Sequence, residues 1–381
     1  MLYFDIVTRD TKKSFFFLSI GIILFCSIRL NAQSFTTQGS DLLMGVGAKD
    51  IARSGASVAN SHDIYASFWN PAGLSEISSG EVGLSRQIEG TLAPINFFAI
   101  AYLLPFDKLG FKMVVAFAYI PRLYVKASGA FYERDIESVF LRYTLPGLSG
   151  NFDGEIDSAT DDYKLAVGIS PLHNVFWSIG ASIGYVNCAT TFAGVTMEDP
   201  TNFQNISTVA TTFSYGFGAK IYASDTITLG LNVKNINNKL AVAVDIVDDD
   251  GYAHKSYDVS FPLDVTIGAD WRYSDDIDVA IDFQRVSGAY GDYTVDFQVL
   301  RIGSTLSYDT LDYHFGLIAP IKIASSTLEN IDPIFPVAPT AGFGWHNETF
   351  DVSMAFYVHP IMSLYKNSPS PSMDISLAYH F

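Results

Sequence analysis

Hydrophobic and polar residues alternate with a period of two along most of the chain after residue 80. The clearest example is residues 258–273, where apolar side chains occupy the odd positions and polar or small residues the even ones. The run Ser274-Asp275-Asp276 is turn chemistry, and the alternation resumes over residues 277–284. A period of two predicts β-strands with one apolar face and one polar face.

Read in the same way, the sequence predicts fourteen strands. They lie near residues 81–88, 95–104, 111–121, 161–170, 175–187, 207–222, 226–236, 258–273, 277–286, 292–306, 312–321, 337–346, 350–359 and 372–381. Short turns alternate with connections that are mostly longer, the longest being 122–160, 188–206 and 237–257. This alternation is typical of bacterial outer-membrane barrels. We therefore predict an all-β fold, a 14-stranded antiparallel transmembrane β-barrel in the outer membrane with both termini periplasmic.

A soluble β-sandwich is the alternative fold, but its strands are usually shorter and would mix Lys and Arg into the polar face. Some positions fit the strand pattern imperfectly. The apolar face of residues 293–306 changes parity between Val299 and Leu300, which predicts a β-bulge. Pro262, Pro320 and Pro339 fall inside predicted strands, where the missing N–H requires a bulge or an unpaired position. We interpret them as local curvature in preference to a side gate in the wall.

Residues 42–74 show neither the 3.6-residue period of an amphipathic helix nor the alternation of a strand, and they are dense in small residues. With fourteen strands assigned after it, this segment has no strand to join, and we predict that residues 33–80 form a plug, or hatch, inside the lumen of the barrel formed by residues 81–381. The motif residues are Gly45, Gly47, Gly55, Trp69, Asn70, Pro71 and Gly73. Asn-Pro followed by Gly is turn chemistry, and we expect Trp69-Asn70-Pro71 to anchor the plug against inward polar residues.

Residues 1–32 are predicted to be a signal peptide, with Lys12 and Lys13 before an apolar core over residues 14–27. An uncleaved anchor helix is less favoured, because the core is shorter than the roughly 20 residues that a span needs. Removing these residues changes the formal charge from −17 to −19, since four basic and two acidic residues leave with them. A chain this acidic repels nucleic-acid phosphates, so no nucleic-acid partner is expected.

The polar face of the strands carries many carboxylates. The residues predicted to face the lumen are Asp258, Asp264, Asp270, Arg272, Asp278 and Asp282. They imply either a hydrated lumen or salt bridges to the plug through Lys49 or Arg53. At the C-terminus, alternation runs to the last residue, and Tyr379 with Phe381 resembles the terminal strand that barrel assembly machinery recognises.

Catalytic and metal-binding patterns are absent from the sequence. The seven histidines are scattered singly, and the motifs of common hydrolases and phosphate-binding loops do not occur. The acidic run over residues 245–251 lacks the spacing of a calcium loop. We therefore predict no enzyme, no metal site and no cofactor.

The motif Leu43-Met44-Gly45-Val46-Gly47, followed by Trp69-Asn70-Pro71-Ala72-Gly73, resembles the N-terminal signature of the PorV/PorQ family. That family is related to the FadL-type fatty acid transporters, which carry a similar Asn-Pro-Ala-Gly element after a hatch. The sequence departs from the family pattern at residues 51–54.

The resemblance implies two functions. The first is a role in type IX secretion, with a translocon or secreted cargo as partner. The second is a channel for hydrophobic small molecules such as fatty acids. Outer-membrane lipid, lipopolysaccharide and the assembly machinery are the other expected partners. A structural barrel without a transport role is a third alternative.

Overall fold

The computed structural model describes residues 34–40, 44–88, 95–106, 108, 110–131, 152–173, 175–197, 203–236, 239–248, 251–290, 293–325, 337–359, 363 and 369–381. The predicted signal peptide lies outside these residues. No described helix is long and apolar enough to cross a membrane.

Seventeen strands and three short helices make up the described part of the chain. In order they are β1 (Ser34–Gln38), α1 (Ala48–Ala52), α2 (Ala66–Trp69), a 3₁₀ helix (Pro71–Glu76), β2 (Glu81–Gln87), β3 (Phe97–Leu104), β4 (Phe111–Phe131), β5 (Phe152–Pro171), β6 (Trp177–Thr196), β7 (Phe203–Tyr222), β8 (Ile227–Ile236), β9 (Lys239–Asp248), β10 (Gly251–Ser260), β11 (Leu263–Ser274), β12 (Ile277–Tyr290), β13 (Tyr293–Tyr308), β14 (Leu311–Ser325), β15 (Ala338–His346), β16 (Phe350–Val358) and β17 (Pro371–His380).

Fourteen of these strands close into an antiparallel barrel. Strands β2 to β8 pair in order, β8 pairs with β11, and β11 to β17 continue the ring. β17 then pairs with β2, from Asp374 opposite Gln87 to His380 opposite Glu81, which closes the cylinder. The predicted fourteen-stranded antiparallel barrel is confirmed.

The barrel wall has an apolar outer face and a more polar inner face. Along β5, Tyr163 and Leu165 are exposed whereas Asp162 and Lys164 are buried, and the same alternation runs along β16 and β17. Many of the exposed large residues are aromatic, among them Trp271, Tyr273, Tyr308, Trp345, Tyr379 and Phe381 near one end and Tyr163, Tyr185, Phe213 and Tyr215 near the other. Two aromatic bands around an aliphatic zone are typical of a lipid-facing barrel surface.

The two ends of the barrel differ in their connections. One end, here called the short-turn end, has connections of two to six residues, such as 275–276 between β11 and β12 and 309–310 between β13 and β14. The opposite end is called the long-loop end, because it holds the connections 132–151, 326–337 and 359–370.

Several predicted loops are wrong, because the strands at the long-loop end are longer than the apolar pattern indicated. Residues 122–131 and 152–160 belong to β4 and β5, residues 188–196 and 203–206 belong to β6 and β7, and residues 237–257 contain β9 and most of β10. The predicted strand 258–273 is interrupted at Phe261-Pro262, since proline cannot donate to a ladder. The parity change predicted between Val299 and Leu300 corresponds to a register shift one residue earlier, opposite Pro320.

Seven strands form a second, smaller ring at the long-loop end, which we call the upper ring. β4 to β7 extend beyond the barrel, the far end of β7 pairs with β9, β9 pairs with β10, and β1 lies between β10 and β4. β3 reaches β4 only as far as Tyr119, so the β4 edge beyond it is open until β1 pairs there. Residues 34–38, which the sequence assigned to the plug over residues 33–80, therefore form a strand of this ring instead.

Candidate functional site

Residues 44–80, called the luminal segment, pack against the inner face of the barrel. Their apolar side chains are almost fully buried, and Val46, Ile64 and Leu74 belong to one cluster with Ala99 of β3 and Val114 of β4. The ring of Tyr65 lies 5.1 Å from that of Phe97 on β3. A smaller cluster joins α1 to Ala355 and Tyr357 of β16. The segment thus packs against the wall at both β3–β4 and β16.

Glycines allow the luminal segment to fold around Trp69. Gly45, Gly47 and Gly55 all have positive φ values, of 81°, 81° and 73°, which favour glycine. The indole Nε1 donates to the carbonyl of Val46 at 2.8 Å, and a Cβ added to Gly55 would lie 2.6 Å from the Trp69 ring. These motif residues therefore form one compact packing unit.

Asn70 is the best-connected residue of the Asn-Pro-Ala-Gly motif. Its side chain is fully buried, and its Nδ2 donates to the carbonyl of Val58 at 2.6 Å and to that of Ala219 on β7 at 3.2 Å. Its Oδ1 accepts from the Ala72 N–H at the start of the 3₁₀ helix, where Pro71 provides a suitable φ. Gly73 packs against the backbone of Ser61. Asn70 therefore links two parts of the luminal segment to the wall.

Arg53 forms the main ion pairs between the luminal segment and the wall. Its side chain is 1% exposed, and its Nη2 lies 2.6 Å from Asp278 Oδ1 and 3.4 Å from Asp270 Oδ1. Nη1 donates to the side chain of Asn60, whose Nδ2 donates to Asp270 at 2.9 Å. Two of the predicted lumen-facing aspartates thus hold the arginine that the sequence singled out.

The wall also binds the backbone of the luminal segment. Asp282 accepts hydrogen bonds from the N–H groups of Ser57 and Val58, at 2.8 and 2.9 Å. Arg301, which is buried, donates to the carbonyl of Ser54, and Thr340 donates to that of Ala52 at 2.8 Å. An irregular segment leaves backbone groups unpaired, and inward polar side chains satisfy them here.

The remaining predicted residues lie elsewhere. Asp264 is buried higher in the lumen and pairs with Lys234 at 3.1 Å. Arg272 is exposed near the short-turn end of β11 and is not among the buried inward-facing side chains. Asp258 belongs to β10, and its side chain is outside the described part of the structure. Tyr379 and Phe381 stack with ring centroids 6.1 Å apart, and Phe381 exchanges two backbone hydrogen bonds of 2.9 Å with Gly80.

Wall glycines are the largest feature that sequence reasoning missed. At each of several inward positions, an added Cβ would come within 3 Å of the luminal segment: Gly83, Gly168, Gly180, Gly218, Gly230, Gly268, Gly303, Gly316 and Gly342. They occupy nine different strands of the barrel. Glycine on the inward parity of strand after strand was visible in the sequence, and it indicates close approach of another backbone.

A basic and aromatic layer lies above the luminal segment. The Nζ atoms of Lys234 and Lys164 lie 4.2 and 6.0 Å from the centre of the Phe68 ring. Lys164 is buried and pairs with Asp162 at 3.4 Å. Arg122 crosses the lumen nearby, with its guanidinium 4.4 Å from the Phe261 ring and Nη1 3.2 Å from Asn235 Oδ1.

On strands β4 to β7, the inward side chains of the upper ring beyond Arg122 are mostly apolar. Strand register gives three successive layers, each with one residue from β4, β5, β6 and β7: Leu123, Thr160, Cys188 and Ala210; Val125, Ser158, Thr190 and Thr208; and Ala127, Ile156, Phe192 and Ile206. All twelve are buried and none is charged. The hydroxyls bond within the wall, for example Ser158 to Thr190 at 2.7 Å.

Charged side chains gather at the other end of the luminal segment. Lys49 pairs with Asp63 at 2.6 Å, and both Lys220 and Tyr222 on β7 donate to Glu76. Burial, with the nearby carboxylate of Asp63, raises the pKa of Asp50 to about 6. Burial also opposes the charge of Asp63, but Lys49 holds the pKa of Asp63 below its usual value. The described residues contain no group of three or more side chains that could hold a metal ion.

The fold and this lumen define a class: a fourteen-stranded barrel whose interior is occupied by its own N-terminal segment. Several solved structures share the barrel fold. The toluene transporter TbuX of Ralstonia pickettii has a TM-score of 0.57 at 14% identity, covering 89% of this chain and 99% of that one. A FadL homologue of Pseudomonas aeruginosa has a TM-score of 0.58 at 11% identity, covering 91% and 99%.

A third structure, the toluene transporter TodX of Pseudomonas putida, gives a TM-score of 0.54 at 14% identity and covers 90% of this chain and 99% of that one. Identities this low show a shared fold. Comparison of the sequence with family models and with curated proteins finds no match.

Proposed function

We propose that this protein is an outer-membrane channel of the FadL type that takes up small hydrophobic molecules, with the luminal segment acting as its hatch. The observation that carries the proposal is the lumen itself. Residues 44–80 occupy its lower part, and the described inward side chains of β4 to β7 in the upper ring are uncharged and mainly apolar. A diffusion pore for polar solutes needs a water-filled lumen. An occupied lumen with an apolar upper interior fits a hydrophobic solute instead.

The structural neighbours support this choice. Their names describe transport of toluene and likeness to FadL, and their full lengths align with most of this chain. The sequence had ranked a PorV/PorQ-type role in type IX secretion first and a FadL-like channel second. The neighbours favour the second, and no feature of the described residues favours binding of a translocon or cargo. The structural neighbours are also transporters and not enzymes, in line with the expectation that this protein is not an enzyme.

Uptake of toluene tests the proposal. Cells of a bacterial strain without its own FadL-type proteins should accumulate radiolabelled toluene faster when they produce this barrel in the outer membrane. The matched control is a variant lacking residues 44–80, which should let sucrose pass in liposome-swelling assays, whereas the intact protein should not. Equal toluene uptake with and without the protein, or rapid sucrose entry through the intact protein, would contradict the proposal. Copurification with a large secretion complex would favour the alternative.

A further inference from the structure

The upper ring is closed by one strand that differs from all its neighbours. β4 to β7 pair consecutively, and β9 and β10 form a hairpin, but β1 has no sequence neighbour in the ring. It pairs with β4 over five positions, from Ser34 opposite Ser128 to Gln38 opposite Tyr124. By comparison, β5 and β6 pair over eighteen positions. Segments with few backbone contacts open at lower free energy than the rest of a fold.

The chain leaves β1 through a tight corner at the base of the ring. Gly39 has a φ of +134°, and a Cβ added there would lie 2.7 Å from the carbonyl carbon of Arg122. Ser40 then donates to the carbonyl of Pro121 at 3.0 Å. Arg122 is itself the extra residue where the β4–β5 register shifts. The corner therefore packs against the bulge at Arg122 in β4, and β1 extends from the corner along the open edge of β4.

Loss of β1 would expose an interior that suits apolar molecules. The three layers inside the ring present Val125, Ile156 and Phe192 together with other apolar or hydroxyl side chains, and the rings of Phe192 and the neighbouring Phe152 pack edge to face at 5.5 Å. The described side chains of these layers, all from β4 to β7, carry no charge, so along this part of the wall a charged solute would lose its hydration without compensation. A ring of seven strands is narrow enough for side chains to fill, so it admits solutes only when it opens.

We propose that β1 is a displaceable wall strand, and that its departure from β4 admits small, uncharged apolar molecules into the upper ring. The identity of the solute rests on the proposed function, but the displacement of the strand does not. The ion pairs of Arg53 with Asp270 and Asp278 involve no residue of β1, so the hatch below keeps them when β1 departs.

Cys188 provides a reporter that does not depend on transport. It is the one thiol after residue 26, it is buried in the lowest layer of the ring, and its Sγ accepts from Thr160 Oγ1 at 3.3 Å. Thr36→Pro removes a backbone N–H from β1 and should weaken its pairing with β4. We expect methanethiosulfonate to label Cys188 at least ~10-fold faster in this variant, which corresponds to about 1.4 kcal/mol of easier opening. Thr36→Ala keeps the N–H and should label at the wild-type rate.

A disulfide lock tests the link to transport. Thr36 lies opposite Lys126, so a Thr36→Cys/Lys126→Cys pair in a Cys188→Ala background can bridge the two strands. The locked protein should lose at least ~10-fold of its toluene uptake and regain it on reduction. The control Asp157→Cys/Thr191→Cys bridges β5 and β6 on the outer face and should change nothing.

The two experiments separate the two ideas. Equal labelling of Cys188 in Thr36→Pro and Thr36→Ala, or unchanged uptake in the locked protein, would overturn the displaceable strand. Absence of toluene uptake in the wild type would overturn the proposed function, while the labelling experiment would still test whether β1 is displaced.

Discussion

Replacing Arg53 by alanine should loosen the hatch more than any other single charge change. The guanidinium is buried and contacts Asp278, Asp270 and Asn60. Its removal leaves two wall carboxylates without their cation. Breaking a buried pair in this way costs about 3–5 kcal/mol, and because both aspartates keep some contact with solvent we take the lower figure, ~3 kcal/mol.

A cost of that size raises the population of locally opened hatch about a hundredfold. Amide hydrogen exchange measures such openings directly. The amides of Ser57 and Val58, which donate to Asp282, are the most informative because their protection depends on contact with the wall. We expect their exchange to accelerate about a hundredfold in Arg53→Ala, while amides of the wall strands keep the wild-type rate.

The control is an arginine in an exposed ion pair. Arg285 lies on the outer face, is 54% exposed on its side chain, and contacts Asp296 at 2.9 Å. Exposed pairs contribute less than about 1 kcal/mol, so Arg285→Ala should leave hatch exchange unchanged. The double variant Arg53→Ala/Asp278→Ala should recover part of the protection, since it removes an unpaired carboxylate. Exchange in Arg53→Ala within threefold of wild type, or the same acceleration in Arg285→Ala, would refute the reasoning.

Three further predictions concern the hatch. Asn70→Ala removes the hydrogen bonds to the carbonyls of Val58 and Ala219, so it should destabilise the hatch by roughly 2 kcal/mol and raise bilayer conductance; unchanged conductance would argue against an anchoring role. Gly180→Ala places a methyl group against Pro71 and should reduce the heat-modifiable folded fraction on gels, whereas Ala181→Val, on the outer face, should not. Because the Asp50 pKa of about 6 lies above its unfolded value of 3.8, the folded hatch binds this proton more tightly than the unfolded chain does, and the contribution of Asp50 to hatch stability should fall as pH rises from about 4 through 6. Hydrogen exchange of the hatch amides measures this loss of stability, and Asp50→Asn should abolish it. A pH dependence equal to that of the wild type would contradict the prediction.

Barrel architecture could be predicted from the sequence because its cause is local. Each lipid-facing strand must place apolar side chains on every second residue, and Tyr163 and Leu165 against Asp162 and Lys164 show that rule directly. The alternation of apolar and polar residues is lost in strand segments that extend beyond the lipid. Outward positions on the upper halves of β5 and β6, such as Glu155, Asp157 and Thr191, face solvent, so the pattern there looks like a loop.

Long-range features were beyond the same reasoning. The pairing of β1 with β4 depends on β3 ending early, and the β9–β10 hairpin depends on the break at Pro262; neither leaves a periodic signal of its own. Arg122 faces inward only because the register shifts beside it. The partners of Arg53 were a partial exception, since Arg53 and the inward aspartates of β11 and β12 were both identifiable, although their pairing was not.

The polar inner face acquires a different meaning once its partners are known. Inward aspartates in a barrel ordinarily indicate a hydrated pore. Here Asp282 binds backbone N–H groups of the hatch, Asp270 and Asp278 hold Arg53, and Arg301 binds a hatch carbonyl. An irregular segment enclosed in a barrel has backbone groups that no strand can pair, and their desolvation is costly unless the wall supplies partners. Inward glycines then let that backbone approach closely enough to form these bonds. The combination of polar residues with glycines on the same inward parity therefore distinguishes an occupied lumen from an open one.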